Sequence, residues 1–225
     1  MVTSYEYISG ESLALLEAHT DLKPPLPAAG HQVLLELSGA LPPGSLRASL
    51  EQFLETGVKA GQITDAVLAE NLNQRQTLWK LREQIPEAEK RAGRSIKHDV
   101  SVPIADIPAF CDRARPALDP FAPLRLSIYG HLGDGNLHYN VLAPAEASAD
   151  AYKAANGTGI SATLHQLASD MGGSFSAEHG VGMLKRGELQ QFSSAHALLL
   201  MKQLKTVLDP RGTMNPGKLI DPEAR

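Results

Sequence analysis

The stretch Gly130-His-Leu-Gly-Asp-Gly-Asn-Leu-His138 decides the architecture of this chain. Its centre, Gly133-Asp-Gly-Asn136, has the residue mix that tolerates positive φ and closes a tight turn between two strands. Opposed residues on such a hairpin bring their Cβ atoms to roughly 4.5–5.5 Å, so the imidazoles of His131 and His138 can share one cation. The alternative is a tight turn whose two histidines only cap the ends of the strands.

Strands and helices alternate on both sides of this hairpin. Predicted strands cover residues 5–8, 32–37, 65–69, 97–102, 124–130, 137–142 and 173–177. Predicted helices cover residues 11–18, 45–58, 74–91 with a break near Pro86, 104–118, 149–169 and 195–208. The alternation and the hairpin predict an α+β fold, with a ferredoxin-like antiparallel sheet and helices packed on one face.

Composition limits the class of protein. With 225 residues, 43% hydrophobic and 20% charged, the chain can bury an ordinary globular core. Its net charge of −4 gives no general attraction to nucleic acid or to an anionic membrane. No apolar run approaches the roughly 20 residues that span a bilayer, and the N-terminus lacks the basic and apolar segments of a signal peptide. These features predict a cytoplasmic protein without a membrane span.

A proline-rich link and a single cysteine each limit the possible structure. The Pro-rich link Lys23-Pro-Pro-Leu-Pro27 cannot form regular structure, so residues 1–30 are predicted to be a connecting segment and residues 31–225 the domain. Cys111 is the only cysteine, which excludes an intrachain disulfide. Its position on the apolar side of a predicted helix indicates a buried, inert thiol.

A third metal ligand is available in Ser174-Phe-Ser-Ala-Glu-His-Gly-Val-Gly182. Two histidines and the carboxylate of Glu178 form a ligand set that catalytic zinc uses and that suits other divalent metals. In a regular strand Glu178 and His179 would point to opposite faces, but the following glycines indicate that the strand ends here. The alternative is a surface glutamate without a ligand. His179, beside such a metal, is suited to take a proton from an alcohol.

Two cations could hold an anionic substrate. The guanidinium fork of Arg82 matches a carboxylate, and Lys97, beside a strand, could hold a second oxygen. Each alone is more often a solvated surface cation. The glycines near residues 130–135 and 180–182 form neither a dinucleotide fingerprint nor a phosphate loop.

Five motifs occur along the chain in a fixed order. They are Leu78-Trp-x-Leu-Arg-Glu83, Lys97-x-Asp-Val-Ser101, the hairpin 130–138, Glu178-His-Gly-Val-Gly182 and Asp209-Pro-Arg-Gly-x-x-Asn-Pro-Gly-Lys218. Together they resemble the C-terminal domain of FAD-linked oxidases, in the branch of D-lactate, glycolate and D-2-hydroxyglutarate dehydrogenases. The resemblance runs from about Thr3 to Ile220.

The resemblance implies a role for each group at the hairpin. His131, His138 and Glu178 would hold a divalent metal, zinc or a substitute. His179 would be the base that removes the hydroxyl proton of a small 2-hydroxy acid while the C2 hydride passes to FAD. A metal on the hydroxyl oxygen would lower its pKa and assist that step.

The resemblance also implies how substrate and cofactor are bound. Arg82 and Lys97 would bind the substrate carboxylate, Asn140 would contact substrate, and Asn215 would approach the edge of the isoalloxazine ring. The sequence departs from the hydroxyglutarate enzymes at Pro86, where a hydroxyl side chain is usual, and this puts the pocket for a distal carboxylate in doubt.

Full-length members of the family carry an N-terminal FAD-binding domain with a glycine-rich pyrophosphate loop, and these 225 residues contain no such loop. We therefore expect FAD to be bound mostly by a missing or separate domain, the isolated chain to be inactive, and its uncovered surface to favour a homo-oligomer. Two alternatives remain: a metal-dependent hydrolase or lyase without flavin, and a non-catalytic subunit of a split dehydrogenase.

Overall fold

A computed structural model of the chain describes residues 1–28, 30–42 and 44–220; the last five residues of the domain predicted over 31–225 lie outside this part. Its strands are β1 (Val2–Ser9), β2 (His31–Leu37), β3 (Ser95–Ile96), β4 (Asp99–Ser101), β5 (Arg125–His131) and β6 (Asn136–Leu142). Its helices are α1 (Gly10–His19), α2 (Ser45–Lys59), α3 (Leu72–Glu83), α4 (Ile85–Arg91), α5 (Ile107–Ala117), α6 (Ala149–Asp170), α7 (Arg186–Phe192) and α8 (Ala195–Leu208).

The strands form one antiparallel sheet. Its order is β2-β1-β5-β6-β3, and β4 also pairs with β6. The predicted α+β class and the antiparallel sheet are therefore confirmed. Segment 1–30, which the sequence separates as a connection, contributes β1 to the middle of this sheet and α1 to its covering helices.

Alternation along the strands gives the sheet two different faces. The apolar face carries Tyr7, Leu126, Ile128, Leu137, Tyr139 and Val141. The polar face carries Glu6, Tyr129, His131, His138 and Asn140. Which side chains share a face therefore follows from strand register alone.

Helices cover both faces, and the prediction that they pack on one face is wrong. On the apolar face, α5 and α6 complete the main hydrophobic cluster. On the other face, α1, α3 and α4 pack against Ile8 and Tyr129 through a second cluster. The reason is that β1 and β5 carry large side chains on both sides, so both sides must be removed from water.

Several predicted elements differ from the structure. Residues 65–69 form no strand, and Val67 is exposed. Residues 173–177 contribute only an isolated bridge between Ser101 and Ser174. The predicted strand 97–102 begins only at Asp99, and α7 has no predicted counterpart. The break near Pro86 is confirmed, because α3 ends at Glu83 and Pro86 stands in the first turn of α4, where a missing N–H is tolerated.

Two predictions concern features outside the site. Cys111 is half-buried on α5 and packs against the main cluster, and burial raises the pKa of its thiol to about 11. A thiol held in its protonated form is a poor nucleophile. Among the described residues, no helix has the combination of length and apolarity that crossing a membrane requires.

Candidate active site

The two histidines of the hairpin lie together on the polar face. Their ring centroids are 5.8 Å apart and the rings are nearly perpendicular. They are not directly opposed, because the register pairs His138 with Tyr129, two residues before His131. The histidines are therefore diagonal neighbours across β5 and β6, and such neighbours are still within reach of one another.

Glu178 approaches both imidazoles from the loop that follows α6. Its Oε1 lies 3.2 Å from Nε2 of His138, and its Oε2 lies 3.7 Å from Nε2 of His131. The structure thus brings together the three residues that the sequence predicts as metal ligands.

His179 faces the same place as Glu178. Its ring stacks on that of His138 with centroids 5.5 Å apart, and its Nε2 lies 3.7 Å from Oε1 of Glu178. Two neighbouring residues can share a direction here because they lie in a loop and not in a strand, and Gly180 next to them has a positive φ. The side chain of His179 is half-exposed, so a substrate can reach it.

Asp99 on β4 holds this loop in place. Its Oδ2 accepts the backbone N–H groups of Glu178 and His179 at 2.9 and 2.8 Å, and its Oδ1 accepts the amide of Asn136 at 2.7 Å. Burial opposes ionisation of Asp99, but these hydrogen bonds outweigh it and lower its pKa. Sequence reasoning missed this role, although Asp99 stands inside the Lys97-x-Asp-Val-Ser101 motif.

The groups that meet here fit a divalent cation. One ligand atom each from Asp99, His138, Glu178 and His179 lie within 4.8 Å of one another. His131, one of the three ligands that the sequence predicts, is not part of this group of four and borders it through Glu178 at 3.7 Å. Burial, with the nearby charge of Arg82, lowers the pKa of His138 to about 4. His138 is therefore neutral at pH 7 and has a lone pair for a metal, as imidazole ligands must. Imidazole and carboxylate donors together suit zinc and other borderline divalent ions.

Arg82 reaches the site from α3. Its Nε donates a hydrogen bond to Oε2 of Glu6 at 3.0 Å, and its guanidinium carbon lies 4.5 Å from the ring centroid of Tyr129. Tyr129 in turn packs against His138, with centroids 5.0 Å apart. Arg82 is buried, and its two terminal nitrogens form no hydrogen bond with any described residue.

The other two predicted substrate residues, Lys97 and Asn140, have different surroundings. Lys97, between β3 and β4, is exposed and forms no hydrogen bond or ion pair within the described part of the chain. Asn140 is 1% exposed. Its amide nitrogen donates to Glu89, and its oxygen accepts the backbone N–H of His98. The structure therefore leaves Lys97 available to a ligand and commits Asn140 to the protein interior.

Asn215 lies in an exposed turn with a positive φ of 47°. The structure does not bring its side chain into the histidine cluster. The segment that contains it is nevertheless tied to the site loop, because the backbone N–H of Leu219 donates to the carbonyl of Gly182 at 2.8 Å.

A family model described as FAD linked oxidases, C-terminal domain, matches residues 1–219. The chain belongs to this family. The resemblance predicted from the five motifs is thereby confirmed, and every site residue described above lies inside the matched range of this FAD linked oxidase C-terminal domain.

Several relatives of this domain are named D-2-hydroxyglutarate dehydrogenase. The mitochondrial protein of Bos taurus is 34% identical over 224 residues, which is 100% of this chain and 40% of that protein. The mitochondrial protein of Arabidopsis thaliana is 33% identical over 98% of this chain and 38% of that protein. The protein of Stutzerimonas stutzeri is 34% identical over 97% of this chain and 47% of that protein. The chain thus spans less than half the length of these relatives.

Proposed function

We propose that this chain is the substrate- and metal-binding domain of a flavin-dependent 2-hydroxy acid dehydrogenase, which oxidises the hydroxyl by hydride transfer to FAD. The observation that carries the proposal is the convergence of His131, His138, Glu178 and His179, with Arg82 beside them. The family description supports FAD, and the names of the relatives support an oxidised 2-hydroxy acid.

In this proposal His131, His138 and Glu178 hold a divalent metal, zinc or a substitute. When bound, such a metal supplies Lewis acidity at the substrate hydroxyl oxygen. Asp99 keeps the anchoring role, because both of its oxygens already accept hydrogen bonds. His179 accepts the hydroxyl proton at Nε2, the ring nitrogen on the side of Glu178.

Arg82 binds the substrate carboxylate through its two free terminal nitrogens, which match a carboxylate bidentately. Lys97, exposed beside the polar face, holds a second oxygen. Asn140, on the polar face, stays the proposed second contact with substrate; its amide is held by Glu89 and by the backbone of His98 in this structure. The names of the relatives favour D-2-hydroxyglutarate as substrate. Pro86 disfavours it, because the hydroxyglutarate enzymes usually have a hydroxyl side chain at this position. The proposed substrate is therefore given as a class, the small 2-hydroxy acids.

FAD is proposed to be bound mainly by a separate FAD-binding domain, with Asn215 at the edge of the isoalloxazine ring. α8 offers a surface for that domain or for a second copy of the chain, because five of its large apolar side chains are exposed. They are Leu199, Leu200, Leu204, Val207 and Leu208. A cytoplasmic location is proposed from composition, although some relatives are named as mitochondrial.

The proposal is tested by adding an FAD-binding domain and following flavin bleaching with D-2-hydroxyglutarate, D-lactate and glycolate. His179→Asn is expected to lower kcat by about 10²–10⁴-fold, the usual contribution of a general base. His31→Asn is the matched control, since His31 lies at the far edge of the sheet and contacts Tyr7. Full turnover by His179→Asn would contradict the proposal, and metal-dependent hydrolysis without flavin would favour a hydrolase or lyase.

A further inference from the structure

Glu6 contacts both halves of the site, the metal-binding half and the substrate-binding half. We infer that Glu6 is a positioning residue that orients His131 for the metal and Arg82 for the substrate carboxylate through one buried carboxylate. The inference rests on the proposed function and adds a residue to it.

The first half of the argument concerns His131. The pairing of β1 with β5 places Glu6 directly opposite His131, and Nδ1 of His131 lies 2.8 Å from Oε1 of Glu6. An ionised carboxylate can only accept a hydrogen bond, so Nδ1 must carry the proton. The lone pair of His131 is then on Nε2, the nitrogen that faces Glu178. Histidine ligands commonly donate their second N–H to a carboxylate, and loss of that partner typically weakens metal binding about 10–100-fold.

The second half concerns Arg82. The other oxygen of Glu6 accepts the side nitrogen Nε of Arg82, and the guanidinium group stacks on Tyr129. These two contacts fix the plane of the guanidinium group and leave its terminal nitrogens as the fork that a carboxylate requires. Glu6 itself cannot turn away, because its side chain is only 6% exposed.

Each oxygen of Glu6 therefore contacts a different functional group, and Oε1 also accepts the hydroxyl of Ser4 at 3.1 Å. A glutamine at this position places a donor nitrogen where one of these oxygens stands. Because His131 and Arg82 approach different oxygens, the nitrogen would face one of the two donors. Glu6→Gln must disturb either the tautomer of His131 or the orientation of Arg82. A role limited to packing would leave the tautomer of His131 unchanged.

The first test needs no substitution. Long-range ¹H–¹⁵N spectra of the metal-free chain at pH 8.5 report which nitrogen of His131 is protonated. We expect the proton on Nδ1. A proton on Nε2 would overturn the inference. Because this experiment uses the wild-type chain, its result does not depend on whether a variant at position 6 folds.

The second test is a titration with Co²⁺, whose visible absorption reports metal binding. Glu6→Gln is expected to weaken binding about 10–100-fold relative to the wild type. Glu36→Gln is the matched control, because Glu36 also accepts from an arginine and a ring N–H, those of Arg75 and Trp79, away from the site. Its affinity should equal that of the wild type.

If Glu6→Gln and the wild type bound Co²⁺ with equal affinity, the inference about Glu6 would be refuted and the proposed function would not be affected. Failure of the wild type to bind Co²⁺ would refute the metal site of the proposed function and the inference with it. In the enzyme supplied with an FAD-binding domain, Glu6→Gln should also raise KM more than Arg75→Met does, since the ion-pair partner of Arg75 within the described residues is Glu36 on β2, away from the site.

Discussion

The two faces of the sheet are built from alternate residues of the same strands, yet they have opposite chemistry. On β5 and β6 the apolar face carries Ile128 and Tyr139, and the polar face carries Tyr129 and His138. The apolar face is sealed by α5 and α6. On the polar face, helices α1, α3 and α4 pack against Ile8 and Tyr129, and α3 also contacts Glu36 on β2. The loop of Glu178 and His179 approaches the part of this face that carries the two histidines of the hairpin.

This difference shows how one sheet supplies both stability and chemistry. The covered apolar face contributes to the free energy of unfolding through the apolar area that it removes from water. A half-covered face can keep titratable groups close together, because these groups retain access to solvent or to a ligand. The two contributions should therefore be separable by substitution.

The largest expected effect lies on the apolar face. Phe110 is fully buried and packs edge-on against Tyr139, with centroids 5.8 Å apart. Phe110→Ala should lower the free energy of unfolding by about 3–5 kcal/mol, measured by urea denaturation, because it leaves a cavity. Metal affinity of the folded fraction should not change. Phe53→Ala, at an exposed position of α2, should stay within about 0.5 kcal/mol. A large loss of metal affinity in Phe110→Ala would show that the faces are coupled.

A smaller effect should appear with pH. His98 is buried on the apolar side, where burial lowers its pKa from 6.5 to about 4. Because the unfolded chain binds this proton more tightly, the stabilising contribution is complete above pH 6.5 and is lost as the pH falls towards 4. Between pH 7.5 and 5 the unfolding free energy of wild type should fall by about 2 kcal/mol more than that of His98→Asn. Parallel pH profiles of the two proteins would contradict this assignment.

The smallest effect concerns the anchoring of the loop on the polar face. In Asp99→Asn the side chain can still accept the two backbone N–H groups, but without the charge that strengthens such bonds. We expect Co²⁺ affinity to fall about 10-fold, within the range for partners of metal ligands. Asp112→Asn, on the distant α5, should bind Co²⁺ like the wild type. A larger loss than that of Glu6→Gln would mean that Asp99 is itself a ligand.

Short sequence patterns predict those parts of the fold that depend on neighbouring residues in the chain. The turn at Gly133–Asn136 needs a positive φ, which Gly135 adopts at 70°, so the hairpin and the proximity of its histidines could be predicted. The segment 65–69 has the composition of a strand, but no neighbouring strand offers it hydrogen bonds, and the prediction failed there. Whether an extended segment joins a sheet depends on partners that its own sequence does not contain.

The supporting residues of the site could not be predicted for a related reason. Glu6 becomes relevant only through the pairing of β1 with β5, and Asp99 only through its bonds to the loop of His179. Neither partner can be identified from spacing along the chain. Arg82 and Lys97 were predicted from motifs, but only the structure distinguishes a buried, stacked guanidinium from an exposed ammonium.

The separation of these partners along the chain has a consequence for folding kinetics. The contact between Glu6 and His131 closes a loop of 125 residues, and the bonds from Asp99 to the site loop close loops of 79 and 80 residues. Closing long loops is entropically costly, and folds dominated by such contacts form slowly. During synthesis the histidine pair of the hairpin would exist before residue 178 emerges, while the metal cluster would not. Refolding experiments should therefore recover helical circular dichroism before they recover the capacity to bind Co²⁺.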